Sequence, residues 1–129
     1  MATVSRDKLK KRGFKRLKNS FKNSANGLIY AYKNEQSLTI HSIMLVLVII
    51  IGLIVELSLA EWLIAFVLIG LIMVIELVNT SIEAVVDLVT DEYHHLAKIA
   101  KDTASAAVFI ASALTGVTLL IIFIAKIVR

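Results

Sequence analysis

Residues 62–82 read WLIAFVLIGLIMVIELVNTSI, twenty-one positions with one ionisable side chain, Glu76. At about 1.5 Å per residue a helix of that length reaches roughly 30 Å, the thickness of a bilayer's hydrocarbon core. Two further apolar stretches flank it. IMLVLVIIIGLIV occupies 43–55, but thirteen helical residues cover only about 20 Å. That span must therefore draw on its neighbours and is expected over 41–57. A third is expected over 103–127. A tight turn over 56–61 separates the first two, and Trp62 is placed as an interfacial anchor. The pattern predicts an all-α integral membrane protein with three transmembrane helices.

Composition agrees. Of the 129 residues, 58% are hydrophobic and the mean hydropathy is +0.83, above the roughly 45–50% apolar usage of soluble domains. The length allows one domain, a single membrane domain over 1–129. Proline is absent, so no helix carries a built-in proline kink. Cysteine is absent too, which excludes disulfides, thiolate catalysis and Cys-based metal sites.

Charge is unevenly placed. Residues 1–33 hold ten Lys or Arg against one acid, Asp7, whereas the rest holds four basic and nine acidic residues. A basic arm suits nucleic acid or anionic lipid. The apolar spans decide for lipid, and no nucleic-acid partner is expected. The arm is too long for a signal-peptide n-region and no cleavage pattern follows it, so it is expected to be retained. Residues 1–12 are polar and expected to fray. From Phe14 the apolar residues Leu17, Phe21, Ala25, Leu28, Ile29 and Tyr32 recur every three or four positions, with Lys15, Lys18 and Lys22 off the stripe. This spacing predicts an amphipathic helix resting in the membrane surface. The basic excess places the amino terminus, and with it the 88–102 loop, on the cytoplasmic side of a cell membrane. In the third span Ala104, Ala107, Ala111 and Thr115, and likewise Ser112 and Gly116, let helices approach closely. Three helices make a thin bundle, so a homo-oligomer is expected.

The segment carrying chemistry runs from Glu76 to Asp87. At about 100° per residue, Glu76, Asn79, Glu83 and Asp87 fall within roughly 80° of one another. Glu76 lies about 21 Å along the helix from Trp62 and Glu83 about 31 Å. The first is thus inside the hydrocarbon near its inner edge, the second at the boundary. An acid at the centre of a span costs roughly 2.5–3.5 kcal/mol. One reading is structural, a carboxylate and an amide hydrogen-bonding helices together. The other is functional, an acid that accepts a proton or binds a cation where lipid meets water, and this reading is favoured. Glu35, Glu83, Asp87 and Asp102, with Lys101 nearby, supply hard oxygen ligands for Mg²⁺ and a cation for phosphate. Mg²⁺ takes one or two protein carboxylates and completes its shell with phosphate and water. Such a site suits phosphoryl transfer, in which positioning and charge neutralisation dominate. The five glycines are scattered, so neither a P-loop nor a kinase glycine loop can be built. His94 and His95, adjacent and without cysteine, are a weak zinc signal and suit solvated loop residues or adenine neighbours better.

Glu76-x-x-Asn79-x-x-Ile82-Glu83-Ala84-x-x-Asp87, then Glu92-Tyr93-His94, then Ala100-Lys101-Asp102-x-x-Ser105-Ala106-Ala107 resemble the prokaryotic diacylglycerol kinase family. Upstream, Gly27-Leu28-x-x-Ala31-x-x-Asn34-Glu35 is similar to its pattern, and the resemblance covers about 14–120. It implies a homotrimer with composite sites and transfer of the ATP γ-phosphate to a lipid hydroxyl. By position it makes Glu76 the general base, with Asn79 a polar contact beside it. Glu35 and Glu83 would hold the Mg²⁺ ions bridging the phosphates, while Lys101 and Asp102 bind nucleotide and Arg16 contacts phosphate. Asp87, Glu92, Tyr93 and His94 are further carry-overs around the nucleotide. Asn23, Asn26 and His41 depart from the Gram-negative members, His41 replacing an acid. With Glu35, His41 resembles instead the Gram-positive branch of undecaprenol kinases. The expected substrate is undecaprenol, with diacylglycerol as the alternative. Two readings from other classes remain, a small ion-coupled transporter and a structural membrane adaptor. The transporter would place its acids near the midplane, and the adaptor would need no acidic face at 76–87.

Overall fold

The computed structural model describes residues 13–128. The polar segment 1–12, with the first five basic side chains of the arm, lies outside the described residues, as does Arg129. The helices in chain order are α1 (Phe14–Asn34), α2 (Gln36–Ile54), α3 (Leu59–Val89) and α4 (His95–Ile127). Among the described residues there is no strand. The chain divides into two compact units, Met1–Asn34 and Glu35–Arg129. In the first, α1 carries the three-and-four spacing of apolar residues, with Phe14, Leu17 and Phe21 exposed.

The second unit holds three helices long and apolar enough to cross a membrane. Isoleucine and valine crowd α2, although β-branched residues are mediocre helix formers in water. In lipid that preference is overridden, because each backbone N–H and C=O must find its partner within the segment. Between 17 and 33% of each apolar window is buried within the chain. The remaining apolar faces, such as Val67, Phe109 and Leu114, are exposed, as expected where acyl chains or other subunits replace water. α3 packs chiefly on α4 and to a lesser degree on α2. Val48 of α2, Ala65 and Ile69 of α3 and Leu119 of α4 form the core, bordered by Leu45, Met73 and Phe123.

The α2–α3 turn is built by local chemistry. Glu56 has φ 55°, while the Leu57 N–H donates to the Gly52 carbonyl at 3.0 Å. This is the left-handed, six-to-one closure that ends many helices, here without its usual glycine. Glycine is needed at 52 instead, since an added Cβ would lie 2.7 Å from the Trp62 ring and 2.9 Å from Leu57. Trp62 stacks on Phe66 at 5.5 Å. Ser58 and Glu61 then start α3 with a reciprocal capping box. Lys126, near the end of α4, reaches back to Glu61 at 3.0 Å and to the Glu56 carbonyl at 3.0 Å.

At the other end the helices outlast the apolar stretches. The 31 residues of α3 run about 46 Å, some 16 Å more than a hydrocarbon core needs. The helix thus extends past that thickness by about three turns, which carry Asp87. Of the loop expected over 88–102, only 90–94 is a loop. α4 begins at His95, with His94 as its N-cap accepting from the Leu96 N–H through Nδ1. Hydropathy marks where apolar residues stop, whereas the helix continues for as long as its backbone bonds can form.

Candidate active site

The buried stripe of α3 runs Ala65, Ile69, Ile72, Glu76, Asn79 and Thr80. One continuous face, spaced by three or four, is apolar at its start and polar at its end. The same packing that buries Ile69 thus buries Glu76 and Asn79, which are 3% and 7% exposed. Thr80 satisfies its hydroxyl inside the helix by donating to the Glu76 carbonyl at 3.0 Å. Asn79 donates through Nδ2 to Glu83 Oε1 at 3.0 Å. Its Oδ1 is buried without a hydrogen-bond partner. A buried acceptor left unpaired costs about 1–3 kcal/mol, so this oxygen marks a place prepared for a donor or a cation.

Glu76 has a partner that sequence reasoning misses in that role. Nε2 of His41, on α2, lies 3.3 Å from Glu76 Oε1. Glu35 is the N-cap residue of α2, yet its side chain makes no capping hydrogen bond. Burial, followed by the charges of Glu83 and Glu76, raises its pKa above the ordinary carboxylate value. Three acids separated by up to 48 positions in sequence thus share one electrostatic environment, a constellation that a bound cation would relieve.

A second group lies one turn farther along. A cavity of about 520 Å³ opens between the end of α3, the 90–94 turn and the start of α4. Asp87, Glu92, Tyr93, His94, Lys101 and Asp102, all candidates from the sequence, line it together. Its size suits a small-molecule ligand. Lys101 Nζ donates to Asp87 Oδ1 at 2.5 Å, tying α4 to α3. Lys101 also lies in the field of Glu83, which links the two groups. Lys98 pairs with Asp102 one turn away on α4 and lines the same cavity. Lys98 is a further residue missed. Its spacing to Lys101 and Asp102 places all three on one helical face, but only once 95–101 is known to be helix.

One expectation is corrected. Glu35, Glu83, Asp87 and Asp102 do not form a single acid cluster, and among the described residues no group of three or more His, Cys, Asp or Glu converges for a metal. Asp87 is taken by Lys101 and Asp102 by Lys98. The residues left for a divalent cation are Glu35 and Glu83, the latter hydrogen-bonded to Asn79. Hard oxygens from one or two carboxylates fit Mg²⁺, which completes its shell with phosphate and water. Arg16 is exposed on α1.

Fold and site together define a multi-pass membrane protein with a buried carboxylate and amide beside an open, charged cavity. Residues 22–123 match the family model described as prokaryotic diacylglycerol kinase. The chain is 41% identical over 107 residues to the undecaprenol kinase of Bacillus subtilis, covering 83% of this chain and 87% of the relative. It is 33% identical over 106 residues to the diacylglycerol kinase of Escherichia coli K12, covering 82% and 87%. The diacylglycerol kinase of Pseudomonas aeruginosa is 34% identical over 106 residues, covering 82% and 86%. The chain belongs to the prokaryotic diacylglycerol kinase family.

Proposed function

We propose that this protein is a membrane lipid kinase that transfers the γ-phosphate of ATP, in the presence of Mg²⁺, to the hydroxyl of undecaprenol. The observation carrying this is the buried Glu76, held within one electrostatic group with Glu35 and Glu83, while farther along the same helix a cavity collects Lys98, Lys101 and Asp102. The undecaprenol assignment rests on the 41% identity to an undecaprenol kinase against 33–38% to diacylglycerol kinases, and diacylglycerol is the second reading.

In this mechanism the lipid tail stays in the bilayer and its hydroxyl meets Glu76, the only acid of α3 buried in the packed stripe. A general base must come within hydrogen-bonding distance of the proton it removes. Glu76 takes that proton as the lipid oxygen bonds to the γ-phosphorus and the bond to the β,γ-bridging oxygen breaks, which leaves ADP and the lipid phosphate. Nucleotide lodges in the α3–α4 cavity against Asp87, Glu92, Tyr93, His94, Lys101 and Asp102, with Arg16 contributing a phosphate contact. Glu35 and Glu83 would hold Mg²⁺, whose chemistry is to neutralise the phosphate oxygens. Asn79 fixes Glu83 and offers Oδ1 to the site.

The same reading places the amino terminus and the active site on the cytoplasmic side, α1 in the membrane surface, and the spans at 41–57, 62–82 and 103–127 of one membrane domain. It also makes the working unit a homotrimer, in keeping with the large apolar faces left exposed on the single chain. Radiolabelled ATP offered to purified protein with undecaprenol and diacylglycerol in parallel mixed micelles tests it. Faster labelling of undecaprenol is expected. Labelling of neither lipid, with nucleotide bound, would overturn the kinase reading.

A further inference from the structure

Glu76 is buried at 3% exposure, and among the described residues His41 is the one cationic or imidazole side chain within 4 Å of its carboxylate. The rotamer of an acid so buried depends on the side chains packed around it. The two residues come from different helices, 35 positions apart in sequence, so their contact at 3.3 Å is a product of packing. The imidazole is itself mostly buried, its side chain 16% exposed. It also borders a small apolar cavity of about 180 Å³ walled by Met44 of α2, Ile72 of α3 and Thr115 and Leu119 of α4. The ring thus shares an apolar lining with residues of three helices. In such low-dielectric surroundings an imidazole nitrogen this close to a carboxylate interacts with it more strongly than at a surface.

Resting on the reading of Glu76 as the general base, we infer that His41 is a positioning residue: it holds Glu76 through Oε1 and leaves Oε2 directed to the lipid hydroxyl. His41 touches neither phosphate nor metal in this scheme and acts only through Glu76. Its loss slows the chemical step and spares nucleotide binding. Misplacing a catalytic group by an ångström costs about a hundredfold in rate.

The experiment compares His41→Leu, His41→Gln, Glu76→Gln and the double variant His41→Leu with Glu76→Gln, as full chains in mixed micelles. Leucine keeps the apolar wall and removes the N–H, whereas glutamine returns an N–H at similar reach. His41→Leu is expected to lower kcat about a hundredfold while the KM for ATP stays within about twofold, since no uniform binding is removed. His41→Gln is expected to recover most of that loss, and the double variant should be no slower than Glu76→Gln alone. A His41→Leu enzyme with unchanged kcat overturns the inference, and so does a double variant much slower than Glu76→Gln. Equal losses in the leucine and glutamine variants with unchanged thermal midpoints also overturn it, since the N–H would then be irrelevant. Failure of the base reading is a separate result: it is seen as full turnover by Glu76→Gln, whatever His41 does.

Discussion

Replacing Glu83 by glutamine isolates charge from shape at the point where the metal is assigned. Glutamine keeps an oxygen for the Asn79 Nδ2–H, which now bonds Glu83 Oε1 at 3.0 Å, so the local packing of α3 is preserved. The negative charge alone is lost. An interaction with a charged group is worth about 1.5–3 kcal/mol, which at 1.4 kcal/mol per decade is roughly a 10- to 150-fold weakening. The KM for ATP at fixed Mg²⁺, and the Mg²⁺ concentration for half-maximal rate, should rise by that factor, with a smaller change in kcat at saturation. A second signature follows from Glu35, whose pKa is raised by burial and then by Glu83 and Glu76. Protons compete with the cation for Glu35, so Mg²⁺ affinity should fall as pH drops through that raised value. In the variant one repelling charge is gone and Glu35 stays ionised to lower pH, so the fall should shift toward acid. For the stability of the metal-free fold the sign is opposite. A carboxylate whose folded pKa is raised favours the fold below its unfolded value and loses that contribution as pH rises through the folded one. Metal-free protein above that raised pKa thus lacks this stabilisation, and Mg²⁺ should raise its thermal midpoint. Titrations of ATP and Mg²⁺ from acid to neutral pH measure both effects. An unchanged KM for ATP with an unshifted pH profile would remove Glu83 from metal binding.

Glu76→Gln should lower turnover by about 10²- to 10⁴-fold, the span of general-base contributions. Nucleotide should still bind, as followed by a fluorescent ATP analogue, and full activity would exclude the base role. Lys101→Met breaks the 2.5 Å link to Asp87 and removes a cation from the cavity wall. The KM for ATP should rise about tenfold, in line with a charge-assisted contact, and an unchanged value would place the phosphates elsewhere. Gly52→Ala forces a Cβ to within 2.7 Å of the Trp62 ring, so overpacking should cost about 1–3 kcal/mol. Thermal unfolding in detergent reads this as a lower midpoint, and no change would mean that Trp62 moves freely.

Much of this protein is legible along the chain because its strongest signals are local. Uninterrupted apolar runs specify helices in lipid whatever their β-branched content, since no other backbone conformation there satisfies its own hydrogen bonds. Helical period alone aligns Glu76, Asn79 and Glu83, and the four-residue step from Asn79 to Glu83 is realised as a hydrogen bond. The motif at 76–87 carries the family resemblance, which the match over 22–123 bears out. Boundaries were less legible. Polar residues over 95–101 read as loop, but the His94 cap and the Lys98–Asp102 pair sustain helix there. Pairings between helices were not legible at all. His41 against Glu76, Glu35 in the field of Glu83, and Lys101 on Asp87 depend on how far each helix is rotated and shifted against its neighbour. That geometry is set by the summed packing of residues such as Val48, Ala65, Ile69 and Leu119. No single side chain encodes it, and a rotation of one residue, about 100°, would turn the same acids toward acyl chains.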